Sequence, residues 1–147
     1  MAFYLMTFHE KQEKIKGLFS RASSAEEMYQ LLIELGKGQP TLSPEDKSEE
    51  NRVRGCQSLT YLKTEYKEGK LYFSIESDAF ISAGLGQILT RVYSGESPET
   101  VLRELPTYIE EVGLRSALSP GRSSGLSSMW ERLRKEALAY YLSSQND

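Results

Sequence analysis

The stretch from Ser77 to Gly95 constrains the fold of this chain most. Phe80, Ile81, Leu85, Ile88, Leu89 and Val92 recur at helical spacing, which predicts a strongly apolar helix at the centre of the molecule. Ala83, Gly84 and Gly86 keep part of its surface small, so another element must approach very closely there. Ser77-Asp78 is the expected N-cap and Gly95 the expected stop.

Around that helix the periodicity predicts smaller pieces. Ile15, Leu18 and Phe19 mark a short amphipathic helix within His9 to Arg21. Ser23 or Ser24 followed by Glu26 and Glu27 resembles a capping box ahead of Met28, Leu31, Leu32 and Leu35, and Gly36, Gly38 and Pro40 end that second helix. Lys37 to Glu50 has little apolar content beyond Leu42 and reads as a solvated loop with a turn at Ser43-Pro44-Glu45-Asp46. Leu59 to Tyr66 and Leu71 to Ile75 are rich in strand formers. Lys67-Glu68-Gly69-Lys70 between them is of hairpin length, so an antiparallel hairpin follows, with Arg52 and Val53 available for a short third, edge strand. Ser97-Pro98-Glu99 starts a helix with proline in its first position, and Pro106 begins another short one. From about Arg122 to Tyr141 a last helix carries Leu126, Met129, Trp130, Leu133, Ala137 and Tyr140 on one face. The fold class expected is α+β: a small antiparallel sheet packed against several helices, in a single domain over residues 1–147.

Composition excludes several function classes. With 18 basic and 21 acidic residues the formal net charge is −3, which argues against a general nucleic-acid binder. No apolar run approaches the roughly 20 residues that span a bilayer. The opening Met1 to Phe8 lacks the basic region of a secretory signal. Together with the absence of any cysteine pair, this points to a reducing cytoplasm.

The chain has one cysteine, Cys56, in the run Arg52-Val53-Arg54-Gly55-Cys56-Gln57-Ser58. A lone thiol makes no internal disulfide and supplies too few ligands for a structural zinc site. It is therefore either an inert small hydrophobe or a reactive sulfur. Gly55 lets another sulfur approach, Gln57 and Ser58 add hydrogen-bonding groups, and Arg52 and Arg54 favour a thiolate if they point toward it. Its place just ahead of the first strand suggests an exposed loop.

Other chemistry is sparse. There is no P-loop, no dinucleotide fingerprint and no HExxH. The single histidine, His9, stands near the N-terminus, far in sequence from the thiol a hydrolase would need it to activate. Polar patches at Gly55 to Ser58, Ser77 to Ala79 and Leu118 to Leu126 all fall at element boundaries, where functional side chains concentrate. For Asp78 the competing reading is helix capping; for Arg122 it is a solvated residue in a first turn, poorly placed against the helix dipole.

The run Arg52 to Ser58, then Ser77-Asp78-Ala79 with Ser82-Ala83-Gly84-Leu85, then Leu118-Ser119-Pro120-Gly121-Arg122-Ser123-Ser124-Gly125-Leu126-Ser127-Ser128-Met129, resembles the SufE sulfur-acceptor family over about residues 10 to 140. The resemblance implies an α+β fold shared with IscU-type iron–sulfur scaffolds. It implies that Cys56 accepts persulfide sulfur from a pyridoxal-phosphate cysteine desulfurase of SufS type, that the chain stimulates this enzyme, and that the sulfur passes to an iron–sulfur scaffold complex of SufBCD type. The pyridoxal phosphate would be the desulfurase's; the chain would have no cofactor or metal of its own, and would act as a sulfurtransferase-like carrier and activator rather than a stand-alone enzyme. A regulatory protein that binds a desulfurase without carrying sulfur is the alternative. Asp78 and Arg122 are then candidate supporting residues, regulating the exposure of the cysteine and screening its charge. Gly55, Gln57, Ser58 and Ser77 are candidate partner contacts, and a homodimer stays open. A resting state with the cysteine tucked toward an apolar pocket would protect a persulfide from water. Many family members have tryptophan where Tyr61 stands and asparagine where Ser124 stands, and residues 1–8 fall outside the resemblance.

Overall fold

The computed structural model describes residues 5–145; the first four residues of the Met1 to Phe8 opening lie outside the described residues. Its elements are α1 (Phe8–Phe19), α2 (Ala25–Lys37), β1 (Thr60–Lys67), β2 (Lys70–Ser77), α3 (Phe80–Tyr93), α4 (Pro98–Arg103), α5 (Thr107–Glu111), α6 (Leu114–Ala117) and α7 (Pro120–Gln145), with a 3-10 turn at Pro44–Asp46. The class is the α+β arrangement expected.

The central-helix expectation holds. Every residue of α3 from Ala83 to Thr90 is buried, and α2, β2, α1 and α7 all pack on it. The small residues do what a close approach requires. A Cβ built on Gly84 would fall on the Leu32 carbonyl of α2, one on Gly36 would fall on the Phe80 carbonyl, and one on Gly86 would meet Ile75 Cγ2 of β2 at 2.7 Å. Backbone thus touches backbone between α2 and α3, which no larger residue permits.

β1 and β2 pair antiparallel from Thr60↔Ser77 to Lys67↔Lys70. The two turn residues, Glu68 (φ 51°) and Gly69 (φ 81°), both have positive φ, the geometry that matches the twist of a two-residue hairpin. One sheet face carries Leu62, Leu71, Phe73 and Ile75 into the core, while Tyr66 stacks on Tyr140 of α7 with ring centroids 5.1 Å apart. The third strand shrinks to one bridge, Arg52↔Tyr61. The chain bends away at Arg54-Gly55, where Gly55 has φ 93°, so the pairing cannot run on.

The first helix is capped by Thr7, whose hydroxyl accepts from Glu10 N–H while the Glu10 carboxylate accepts from Thr7 N–H at 2.9 Å. Ser24 caps α2, and the Glu27 carboxylate accepts from Ser23 rather than closing a box with Ser24. A buried lysine fixes α1 to the body. Lys11 is 0% exposed, donates to the Ser94 carbonyl at 2.8 Å and pairs with Glu96 at 2.5 Å. Its apolar neighbours on α1 are enough to mark a helix but gave no hint of this ion pair.

The N-cap expected at Ser77-Asp78 is corrected. The cap position of α3 is Ala79 and receives no side-chain hydrogen bond. Ser77 completes β2, and the Asp78 carboxylate is drawn the other way, accepting from Leu59 N–H at 3.0 Å. Strand geometry has claimed a pair of residues whose types favour a helix start. The last helix begins two residues earlier than expected, at Pro120, and buries Leu126, Met129, Trp130, Leu133 and Ala137. Trp130 lies 4.8 Å from Tyr93 of α3, centroid to centroid. Tyr93 and Tyr108 keep their hydroxyls satisfied inside by donating to the Glu104 carbonyl at 2.6 Å and the Ile88 carbonyl at 2.7 Å, as buried phenols require.

Candidate functional site

The segment before the cysteine is tied down twice. Val53 N–H donates to the Thr60 carbonyl and Leu62 N–H to the Asn51 carbonyl, both at 2.8 Å, and Val53 itself is buried. From α7, Arg132 donates to the Arg52 carbonyl at 2.9 Å and to the Glu50 carbonyl. Beyond the cysteine the chain is fixed again at Leu59. Its N–H donates to Asp78 Oδ1 at 3.0 Å, and its carbonyl accepts from Asp78 N–H at 3.1 Å. Residues 54–58 are therefore a short loop between two fixed points.

This loop lies along the first turns of α7. Gly121 faces the Gln57 side chain, Gly125 faces Cys56, and Ser128 faces Gly55. Those α7 positions recur every three or four residues, one helical face. A Cβ on Gly55 would strike Ser128 Oγ, one on Gly121 would meet the Gln57 amide at 2.5 Å, and one on Gly125 would rest 3.6 Å from Cys56 Sγ. The sequence pointed to Arg122 in this motif. The glycines that actually receive the loop carry no side chain to attract notice, and only their spacing of four could have marked them.

Cys56 is half-buried and packs against the core. Its thiol donates to the Gly125 carbonyl at 3.6 Å. Burial pushes the thiol above the ordinary cysteine range, and a hydrogen bond from Thr60 partly opposes that rise. No charged side chain figures among these influences. Arg54 points outward to Glu49 at 3.0 Å, and Arg122 lies over the Tyr29 ring with its guanidinium carbon 5.4 Å from the centroid. Arg54 is thus engaged away from the sulfur, and burial is the influence that dominates there.

Beneath the loop, Ser58, Thr60 and Ser77 bring their hydroxyls together. Ser58 Oγ lies 2.9 Å from Ser77 Oγ, and Thr60 Oγ1 donates to Ser77 Oγ at 3.1 Å. Gln39 brackets Ser77, accepting from its N–H and donating to its carbonyl at 2.9 Å each. At 3% exposure, Ser77 supports the loop from inside and offers no surface to a partner. Thr60 and Gln39 escaped the sequence reading, because a strand threonine and a loop glutamine have no distinguishing pattern.

Gly55 and Gln57 are exposed and Ser58 is half-buried. Leu59, next along the chain, is 46% exposed, and Phe80 at the start of α3 is 57% exposed. A groove of about 590 Å³ flanks the loop on its other side, lined by Arg52, Arg54, Ser128, Glu131 and Arg132 among others. His9 sits on α1, within 3.8 Å of Glu13. Among the described residues no three His, Cys, Asp or Glu side chains converge as a metal-ligand set, and no helix is long and apolar enough to cross a membrane.

This arrangement can be compared with known proteins. The chain is 30% identical over 129 residues to an uncharacterized SufE-like protein of Synechocystis sp., covering 88% of this chain and 81% of that one. It is 29% identical over 138 residues to SufE-like protein 1, chloroplastic/mitochondrial, of Arabidopsis thaliana; the match covers 93% of this chain and 37% of the plant protein. The solution structure of a hypothetical protein from Thermus thermophilus superposes with a TM-score of 0.71 at 26% identity, over 88% of this chain and 94% of that one. The family model described as SufE, Fe-S metabolism associated domain, matches residues 13–137. By its sequence, and with a fold to match, the chain belongs to the SufE family.

Proposed function

We propose that the protein is a sulfur carrier that receives persulfide sulfur on Cys56 from a cysteine desulfurase of SufS type, stimulates that enzyme and hands the sulfur to an iron–sulfur scaffold of SufBCD type. The observation that carries this reading is the position of the chain's one thiol: half-buried, on a loop fixed at both ends, in a family associated with iron–sulfur metabolism. Exposed Leu59 gives a partner apolar surface at the edge of that loop. Pyridoxal phosphate acts within the desulfurase, and the carrier contributes only its sulfur chemistry.

The transfer is an exchange in which nothing is oxidised overall. Cys56 releases its proton, and its sulfur attacks the outer sulfur of the donor persulfide. The new S–S bond forms as the donor's S–S bond breaks, and the donor cysteine departs with the bonding pair as a thiolate. Delivery repeats the step, with Cys56 as the leaving thiolate. Because burial holds the resting thiol protonated, uptake requires the partner to draw the loop off α7 or to supply charge to the sulfur.

The test is intact mass after incubation with a desulfurase and cysteine: one added sulfur atom, absent in Cys56→Ser. If Cys56→Ser stimulates sulfide release as well as the parent chain, carriage is wrong and the protein regulates by binding alone.

A further inference from the structure

Between the two ties of the cysteine loop, one polar side chain reaches across to α7. Arg54 points away to Glu49, Gly55 has no side chain, and Ser58 is bonded to Ser77 beneath the loop. Cys56 donates its thiol to the Gly125 carbonyl at 3.6 Å, and a thiol is a weak donor. The remaining side chain is that of Gln57. A Cβ built on Gly121 would lie 2.5 Å from its Nε2, 2.6 Å from its Cδ and 2.7 Å from its Oε1. Three nearly equal distances place the amide face-on to residue 121, in the first turn of α7.

That seat exists because residue 121 is glycine, since a methyl group would need the volume the amide fills. The other helix glycine under the loop behaves differently. At Gly125 a Cβ would rest at an ordinary 3.6 Å from the sulfur. Gln57 is exposed, and among the described residues its amide takes part in no hydrogen bond. It therefore covers the helix by shape alone. Gln57 and Cys56 are consecutive and rest on the same face of α7, so a loop that leaves the helix carries both off together.

We propose that Gln57 is a positioning residue whose amide, seated on Gly121, latches the loop against α7 and keeps Cys56 tucked. The inference rests on the reading of Cys56 as a sulfur carrier and names what controls the exposure of that site. Ordering an exposed side chain costs rotamer entropy, so the latch is shallow. It shifts the balance between tucked and open loop, and a partner that favours the open loop has little to overcome.

The chain has one cysteine, so iodoacetamide alkylation of the full chain at fixed pH reads the exposure of Cys56 alone. Gly121→Ala should evict the amide and speed alkylation severalfold, while the melting temperature stays at or above that of the parent, because alanine is the better helix former. Gln57→Ala should speed alkylation to a similar degree. The double variant should be no faster than either single one, as the methyl then has nothing left to evict. Gln57→Glu keeps the length and shape of the amide, so it should be alkylated more slowly than Gln57→Asp, which carries the same charge on a shorter arm. Gly125→Ala, whose methyl has room, should not speed alkylation.

Parent-rate alkylation in either folded Gly121→Ala or folded Gln57→Ala overturns the proposal. So do increases that multiply in the double variant, equal rates in Gln57→Glu and Gln57→Asp, a Gly125→Ala increase as large as that of Gly121→Ala, or a faster Gly121→Ala whose melt has fallen, which is general loosening. Sulfur uptake by intact mass is scored separately. If the parent chain takes up no sulfur, the carrier reading fails while the alkylation rates still decide the role of Gln57.

Discussion

Glycine is used in two opposite ways in two regions of the molecule. Where α2 crosses it, Gly36 and Gly84 bring backbone against backbone in a fully buried contact, and any Cβ would land on a carbonyl. Where the sulfur loop rests on α7, Gly121 and Gly125 meet a Gln57 amide and a cysteine sulfur, and Gly55 meets a serine hydroxyl. The first contact cannot yield, since neither backbone has anywhere to go. The second is made of side-chain ends and a loop, and it is the kind of contact that separates at small cost. The same residue type thus makes a backbone-on-backbone contact in the body of the protein and a contact mostly with side-chain ends under its cysteine loop.

Substitutions break or sharpen this contrast in a graded order. Gly84→Ala is expected to have the largest effect. Overpacking a core usually costs about 1–3 kcal/mol and occasionally more; against a carbonyl the upper end applies, so a thermal melt should drop by roughly 10 °C. A drop of only a degree or two would mean that α2 slides and that the lock is not a lock. Next comes Gly55→Ala, which forces alanine to φ 93° and against Ser128. Strained backbone of this kind costs about 1–3 kcal/mol, and the loop should lift in response, so Cys56 alkylation at fixed pH should speed up severalfold while the melt falls less than in Gly84→Ala. Slower alkylation would show that the loop is held by something other than its seat on α7.

The pH profile of the parent chain comes third. Burial raises the thiol, so thiolate appears only as pH climbs, and the alkylation midpoint should lie above the value of about 8.5 for an unperturbed cysteine. A midpoint at or below that value would contradict a tucked resting state. The smallest effect is that of Gly125→Ala. Its Cβ would sit at ordinary contact distance, 3.6 Å from the sulfur, and alanine is the better helix former. The melt should rise by the equivalent of about 0.5–1 kcal/mol, and a fall would mean that the loop presses closer to α7 than this distance allows.

The sequence made the body legible for clear reasons. Phe80 to Val92 is long and strongly periodic, and Glu68-Gly69 is a hairpin turn by residue type, so the central helix and the sheet needed no tertiary information. Boundary residues were harder. Ser77-Asp78 has the composition of a helix cap, but the strand held Ser77 while Leu59 held Asp78, a contact nineteen positions away that no local pattern announces. The four-residue α6 was missed because one turn is too short for periodicity to register. At the site, Cys56 stood out through being alone and Gly55 through its conformational freedom. Thr60 and the α7 glycines acquire meaning only once β1 and α7 are brought against the loop.

The two fixed points around residues 54–58 also set a length. Cys56 stands three residues from Leu59 and four from Arg52. An extended chain spans at most about 3.3–3.6 Å per residue, so while both ties hold the cysteine backbone stays within roughly 10 Å of Leu59. The sulfur works on a short tether, and its reach is a fixed radius measured from the end of the sheet. On the proposed reading of Cys56 as a sulfur carrier, a donor whose own chemistry takes place in a deep cleft would have to present its sulfur on an arm that comes out to meet that radius.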